Sequence, residues 1–114
     1  MKSLRNSVKL IGRLGKDPEV KSYNNNKKAS FSIATSETYK NAKGEKVEDT
    51  QWHNIVIWGK LAETVEKYLK KGQEVAVEGK LVHRNYETDK GEKKYITEIN
   101  VSDLVMLGGK QQAR

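Results

Sequence analysis

The 114-residue chain carries 22 Lys and Arg against 15 Asp and Glu, no Cys and a single Pro, for a formal net charge of +7. That length supports one domain, and the lack of Cys excludes disulfide scaffolds, thiolate zinc sites and Cys nucleophiles. Charges at Lys2, Arg5 and Lys9 break the first dozen residues, so a signal peptide or membrane span is not expected and a cytoplasmic setting is.

In chain order, Val8, Leu10, Gly12 and Leu14 alternate onto one face of a first strand that ends at Gly15, before the turn pair Asp17-Pro18. The polar run Asn24-Asn25-Asn26-Lys27 predicts a turn. A second strand follows, with Ala29, Phe31, Ile33 and Thr35 on one face and Lys28, Ser30, Ser32 and Ala34 on the other. From Glu37 to Asp49 no apolar periodicity exists, which predicts a projecting hairpin or loop. A third strand, about Thr50 to Trp58, sends His53, Ile55 and Ile57 one way and Trp52, Asn54, Val56 and Trp58 the other.

Leu61, Val65, Tyr68 and Leu69 form the stripe of a helix of about three turns, with Tyr68 in the core, closed by Lys70, Lys71 and Gly72. Glu63 with Lys67 and Glu66 with Lys70 are spaced as i,i+4 pairs. A fourth strand carries Val75, Val77, Gly79 and Leu81 toward Tyr86. Asp89-Lys90-Gly91 turns the chain into a fifth, with Tyr95, Thr97, Ile99 and Val101 on one face, which continues to Leu107. Residues 108–114 have nothing to bury and read as a short tail beyond a domain of residues 1–107.

Three strands, a helix and two strands are the layout of an OB-fold, a five-stranded Greek-key barrel in an all-β chain with one helix. Its aliphatic content is lean: Leu, Ile, Val and Phe total 25 of 114 residues. Burial against further copies of the chain would help so small a core.

The charge excess is localised. Residues 1–36 hold eight Lys or Arg against two acids, the footprint of a polyanion partner rather than of an evenly solvated surface. Seven of the eight aromatic residues are Trp or Tyr. A lone Trp is more often a core residue, but Trp52 and Trp58 share a face with Asn54, while Ile55 and Ile57 occupy the opposite one. Tyr39 and Tyr86 sit in charged stretches with little apolar company. Tyr23 and Tyr95 fit either a surface or a core role. Flat rings interleaved with polar and basic groups suit the stacking of unpaired bases, which a duplex hides. Phosphate-loop, hydrolase and zinc-protease motifs are absent, and His53 and His83 have no ligand-like spacing, so neither an enzyme, a metal nor a cofactor is expected.

The stretches Leu10 to Val20, Ala34 to Glu37, Thr50 to His53, Gly59 to Glu63, Tyr68 to Gly72, Val77 to Leu81, Tyr95 to Glu98 and Met106 to Gly109 together resemble bacterial-type single-stranded DNA-binding proteins. The resemblance implies an OB-fold homotetramer that wraps single-stranded DNA in replication, recombination and repair. It places the stacking positions on Tyr39, Trp52, Trp58 and Tyr86. Three of these are Trp in the best-known members, and the one matching Trp58 is Phe. Basic contacts map to Lys60, Lys70, Lys71 and Arg84, then to Lys43, Arg5 and Lys9, with Asn54 as a polar contact and His53 near the subunit interface. Typical members continue into a Gly/Gln/Pro-rich tail with an acidic, Phe-ended tip that recruits enzymes. The sequence stops at Arg114 without it, which fits either a longer protein cut short or a short variant that binds DNA without such a tip, and recruitment of replication or repair enzymes is not expected without the tip. A second reading is an OB module that contacts protein within a replication or primosome assembly.

Overall fold

A computed structural model describes residues 4–107. The tail expected at 108–114 lies outside them. In chain order the elements are β1 (Val8–Leu14), β2 (Glu19–Tyr23), β3 (Asn26–Lys40), β4 (Lys46–Trp58), α1 (Lys60–Tyr68), β5 (Glu74–Glu87) and β6 (Lys93–Met106). The sheet runs β1-β5-β6-β4-β3-β2, and a further pairing of β1 with β3 closes five strands into a barrel. This is the expected OB architecture. β2 is an addition: the sequence reading put no strand between Pro18 and Asn24, because Glu19 to Tyr23 buries little and has no apolar face to signal it.

β2 occupies the edge of β3 at residues 26–30, and β1 takes the same edge at Ile33 and Ala34. The β2–β3 connection is two residues, Asn24 and Asn25, both at positive φ (47° and 68°). Asn tolerates that region, and two such residues match the right-handed twist of the flanking strands.

β3 and β4 are longer than their apolar patterns. Pairing extends from Lys28 with Trp58 to Lys40 with Lys46, so the polar stretch from Glu37 is the projecting hairpin, with both faces in water. Its tip is held by Asn41, whose Oδ1 accepts the N–H groups of Lys43 and Glu45 at 2.9 Å each. A second hairpin, β5–β6, projects in the same way and turns through Gly91 at φ 82°.

Leu14, Ala29, Phe31, Ile33, Ile55, Ile57, Val75, Val77, Ile99 and Val101 fill the barrel, and Ala62, Val65 and Leu69 of the helix segment plug one end. The phase of β6 changes within the strand. Glu78 faces Asp103 but Gly79 faces Val101, so Ser102 is an extra residue, a bulge that moves the inward set from Ile99 and Val101 to Leu104 and Met106. Gly79 is required there, since a Cβ would collide with the carbonyl of Asn100.

Two helix expectations need correction. Tyr68 is 59% exposed and not core. The buried stripe is Ala62, Val65 and Leu69, at i, i+3 and i+7, which turns Tyr68 to solvent. The helix is also shorter than expected: Leu69 is already extended, and Gly72 supplies a positive φ in the next turn rather than ending α1 itself. Glu66 reaches Lys27 Nζ at 2.6 Å, tying α1 to the start of β3.

Candidate nucleic-acid interface

Alternation dictates that the residues between the core positions of β3 and β4 point outward. There Lys28, Ser30 and Ser32 of β3 lie beside Trp52, Asn54 and Val56 of β4. With Ile96 and Glu98 of β6, Arg84 of β5 and the turn from Gly15, they line a groove of about 700 Å³. Trp52 is 60% and Trp58 41% exposed, although inward-facing Ile55 and Ile57 of the same strand are fully buried.

Each indole is positioned by its neighbours. A Cβ on Gly15 would stand 2.6 Å from Cζ3 of Trp52, so the ring lies against bare backbone with its other side open. Trp58 has Tyr23 beside it, with ring centroids 5.9 Å apart and planes tilted by 48°, and Lys28 Nζ lies 5.7 Å from its centroid. That geometry is a cation–π contact.

Tyr39 and Tyr86 lie about half exposed near the ends of the two projecting hairpins, beyond the groove. Asn54 is on the groove floor and donates from Nδ2 to the carbonyl of Thr97 at 3.2 Å. Lys43 is in the β3–β4 turn, and Lys60 opens α1 directly after Trp58 and Gly59. Lys70 and Lys71 follow α1, where the Lys71 N–H donates to Asp17, a residue that also lines the groove.

Arg5 is exposed ahead of β1. Lys9 is placed elsewhere. It lies 3.9 Å from Glu78 in a separate depression on the outer face of β1, β5 and β6, among Ile11, Ala76 and Val105. His53 is half-buried, with Nε2 3.0 Å from Thr35 Oγ1.

Arg84 makes a two-pronged pair with Glu98: Nε donates to Oε1 and an Nη to Oε2, each at 2.9 Å. The hydrogen bonds from Arg84 hold the Glu98 carboxyl below the usual carboxylate range, more than burial raises it; the charges of Arg84 and Lys28 lower it further. Sequence reasoning did not place Glu98 or Lys28 in the site, and it left Tyr23, 45% exposed, open between surface and core. The alternation of Lys28, Ser30 and Ser32 against Ala29, Phe31 and Ile33 was the available signal for Lys28. The contacts of Glu98 and Tyr23 depend on strand pairing across the barrel.

Among the described residues, no three His, Asp or Glu side chains gather as a metal site, and no helix is long and apolar enough to cross a membrane.

Comparison with known proteins adds to this geometry. The model of the single-strand binding protein family matches residues 5–107. Single-stranded DNA-binding protein 1 of Chlorobaculum tepidum is 48% identical over 107 residues, covering 92% of this chain and 66% of that protein. The single-stranded DNA-binding protein of Neisseria meningitidis is 44% identical over 108 residues, covering 94% and 62%. The chain thus spans a little under two thirds of the length of these relatives.

Among solved structures, a Plasmodium falciparum SSB complex with ssDNA superposes with a TM-score of 0.85 at 39% identity, covering 95% of this chain and 98% of that one. A deletion mutant of the Thermus aquaticus single-stranded DNA binding protein superposes with a TM-score of 0.79 at 29% identity, covering 92% and 51%.

Proposed function

The chain belongs to the single-strand binding protein family, and from that premise we propose that it binds single-stranded DNA without sequence preference, by stacking bases on its outward aromatic face. The observation that carries this reading is Trp52 lining the groove and Trp58 open to solvent beside it, with Lys28 of the groove lying against the Trp58 ring. Rings so placed serve no packing purpose in the barrel, and a stacked base is worth about 1–3 kcal/mol to each. A strand laid over the groove continues onto Tyr39 and Tyr86 at the hairpins, with Lys43, Lys60, Lys70 and Lys71 available to phosphates. Lys9 is left out of this path, because its depression is a separate surface. The cellular role is protection of exposed strands in replication, recombination and repair, in the cytoplasm at the nucleoid.

We also propose that the protein works as a homotetramer. Ile11 and Val105 are more than half exposed on the outer face of β1, β5 and β6, and β1 pairs with β3 only at Arg13 and Leu14. That apolar face and the open stretch of strand edge are suited to a second copy, and the resemblance puts His53 near the contact.

Titration with oligothymidine tests the first reading. Trp fluorescence is expected to be quenched, with affinity falling as salt rises. Equal or tighter binding of duplex in the same buffer would refute it. Sedimentation tests the second reading and the alternative of a protein-contacting module: a tetramer shifted by oligonucleotide supports the proposals, and a monomer or dimer that ignores DNA supports the module.

A further inference from the structure

Arg84 lies in the groove with its charge already answered. Two of its donors are committed to Glu98 at 2.9 Å, and only 12% of the Glu98 side chain is exposed. The remaining N–H donors could still meet a phosphate, but the poorly hydrated Glu98 carboxylate would then face the same polyanion at close range, which weakens that use. The fork has a second consequence. It fixes the guanidinium plane, and a planar, weakly hydrated guanidinium is itself a surface on which bases stack. Its position suits that use: Arg84 shares the groove with Trp52, and Tyr86 lies two residues along the same outward face of β5.

We propose that Arg84 is a base-stacking plane between Trp52 and Tyr86 rather than a phosphate ligand, with Glu98 as the positioning residue that holds the plane and cancels its charge. This rests on the single-strand-binding reading of the same groove. It makes the track continuous from the barrel to the β5–β6 hairpin. It also leaves the salt dependence to the lysines, since the charge of Arg84 is cancelled by Glu98.

Salt dependence separates the two roles, since each phosphate contact contributes about 0.7 to the slope of log K against log salt for a single strand. Binding of a labelled thymidine oligomer is measured across a salt series for the wild type, Arg84→Lys, Glu98→Gln and the double variant Arg84→Gln/Glu98→Gln. The double variant removes both charges and leaves the local net charge unchanged. Folding of each is checked by thermal unfolding.

Arg84→Lys and the double variant are expected to weaken binding by about 5- to 150-fold, the loss of one stacked base, with the wild-type slope retained. Glu98→Gln is expected to steepen the slope by about 0.7, as the freed guanidinium takes a phosphate. Wild-type affinity in Arg84→Lys, with a slope shallower by about 0.7 in the double variant, overturns the proposal while leaving single-strand binding intact. A wild type that does not bind the oligomer overturns both.

Discussion

The two faces of β4 carry similar apolar material and meet opposite surroundings. Ile55 and Ile57 point into the barrel and are sealed from water, whereas Trp52 and Trp58, larger and more apolar in area, alternate outward and stay open. Hydrophobicity alone does not decide burial here: the large outward rings stay open, while the small Val56 between them is covered. The outward rings are nevertheless ordered, one against the bare backbone of Gly15 and the other between Tyr23 and Lys28. On the proposed reading, one strand holds a folding face and a binding face, and mutation is expected to separate their energies.

The largest expected effect falls on the inner face. Ile57→Ala should lower the free energy of unfolding by about 2–5 kcal/mol, the lost transfer energy plus a cavity, as read by urea titration. Its DNA affinity, measured where the variant is still folded, should match the wild type. Trp52→Ala should do the reverse, costing about 1–3 kcal/mol in binding to oligothymidine and less than about 0.5 kcal/mol in stability. Comparable losses of stability in both variants would erase the distinction between the faces.

Gly15→Ala sharpens the comparison, because it adds one methyl group under the Trp52 ring. It should weaken binding by about 1 kcal/mol or more and add nothing once Trp52 is already Ala, the non-additivity expected of residues in contact. Full additivity in that double-mutant cycle would show that Gly15 acts elsewhere.

Acid should expose the Arg84–Glu98 pair more faintly. Arg84 holds the Glu98 carboxyl below its usual range, so the contribution to stability is complete above the unfolded carboxylate pKa and is lost as pH falls through the lowered folded value. Glu98→Gln should flatten that part of the acid limb of a stability–pH curve; an unchanged limb would mean the pair contributes nothing there. The smallest effect belongs to Tyr68→Ala, which should alter neither stability nor binding by more than about 0.5 kcal/mol, because the ring stands in water. A loss of several kcal/mol would restore it to the core.

The barrel was legible in the sequence because inward positions alternate cleanly: Ala29, Phe31 and Ile33 on one strand, Ile55 and Ile57 on another. The open position of Trp52 and Trp58 was legible from the same alternation. β2 was not, since Glu19 to Tyr23 is an edge segment that buries almost nothing, and its existence depends on β3 offering an edge. Tyr68 misled because a helical stripe drawn through Leu61 and Leu69 includes it, whereas the observed packing centres the stripe on Ala62 and Val65, whose small size gave a weak signal. The place of Lys9, beside Glu78 on an outer surface apart from the groove, depends on how the barrel closes and was not legible in the sequence. The Arg84–Glu98 fork joins residues 14 apart, and nothing short of the β5–β6 register with its bulge could have placed them together.

The most direct test of the central claim, that the outward face of β4 binds single strands while its inward face holds the fold, is the affinity of Trp52→Ala/Trp58→Ala for a labelled thymidine oligomer, with its melting temperature measured alongside. Loss of two stacked bases predicts affinity lower by at least about thirtyfold with melting essentially unchanged. Wild-type affinity in that variant, or a collapse of its melting temperature, would contradict it.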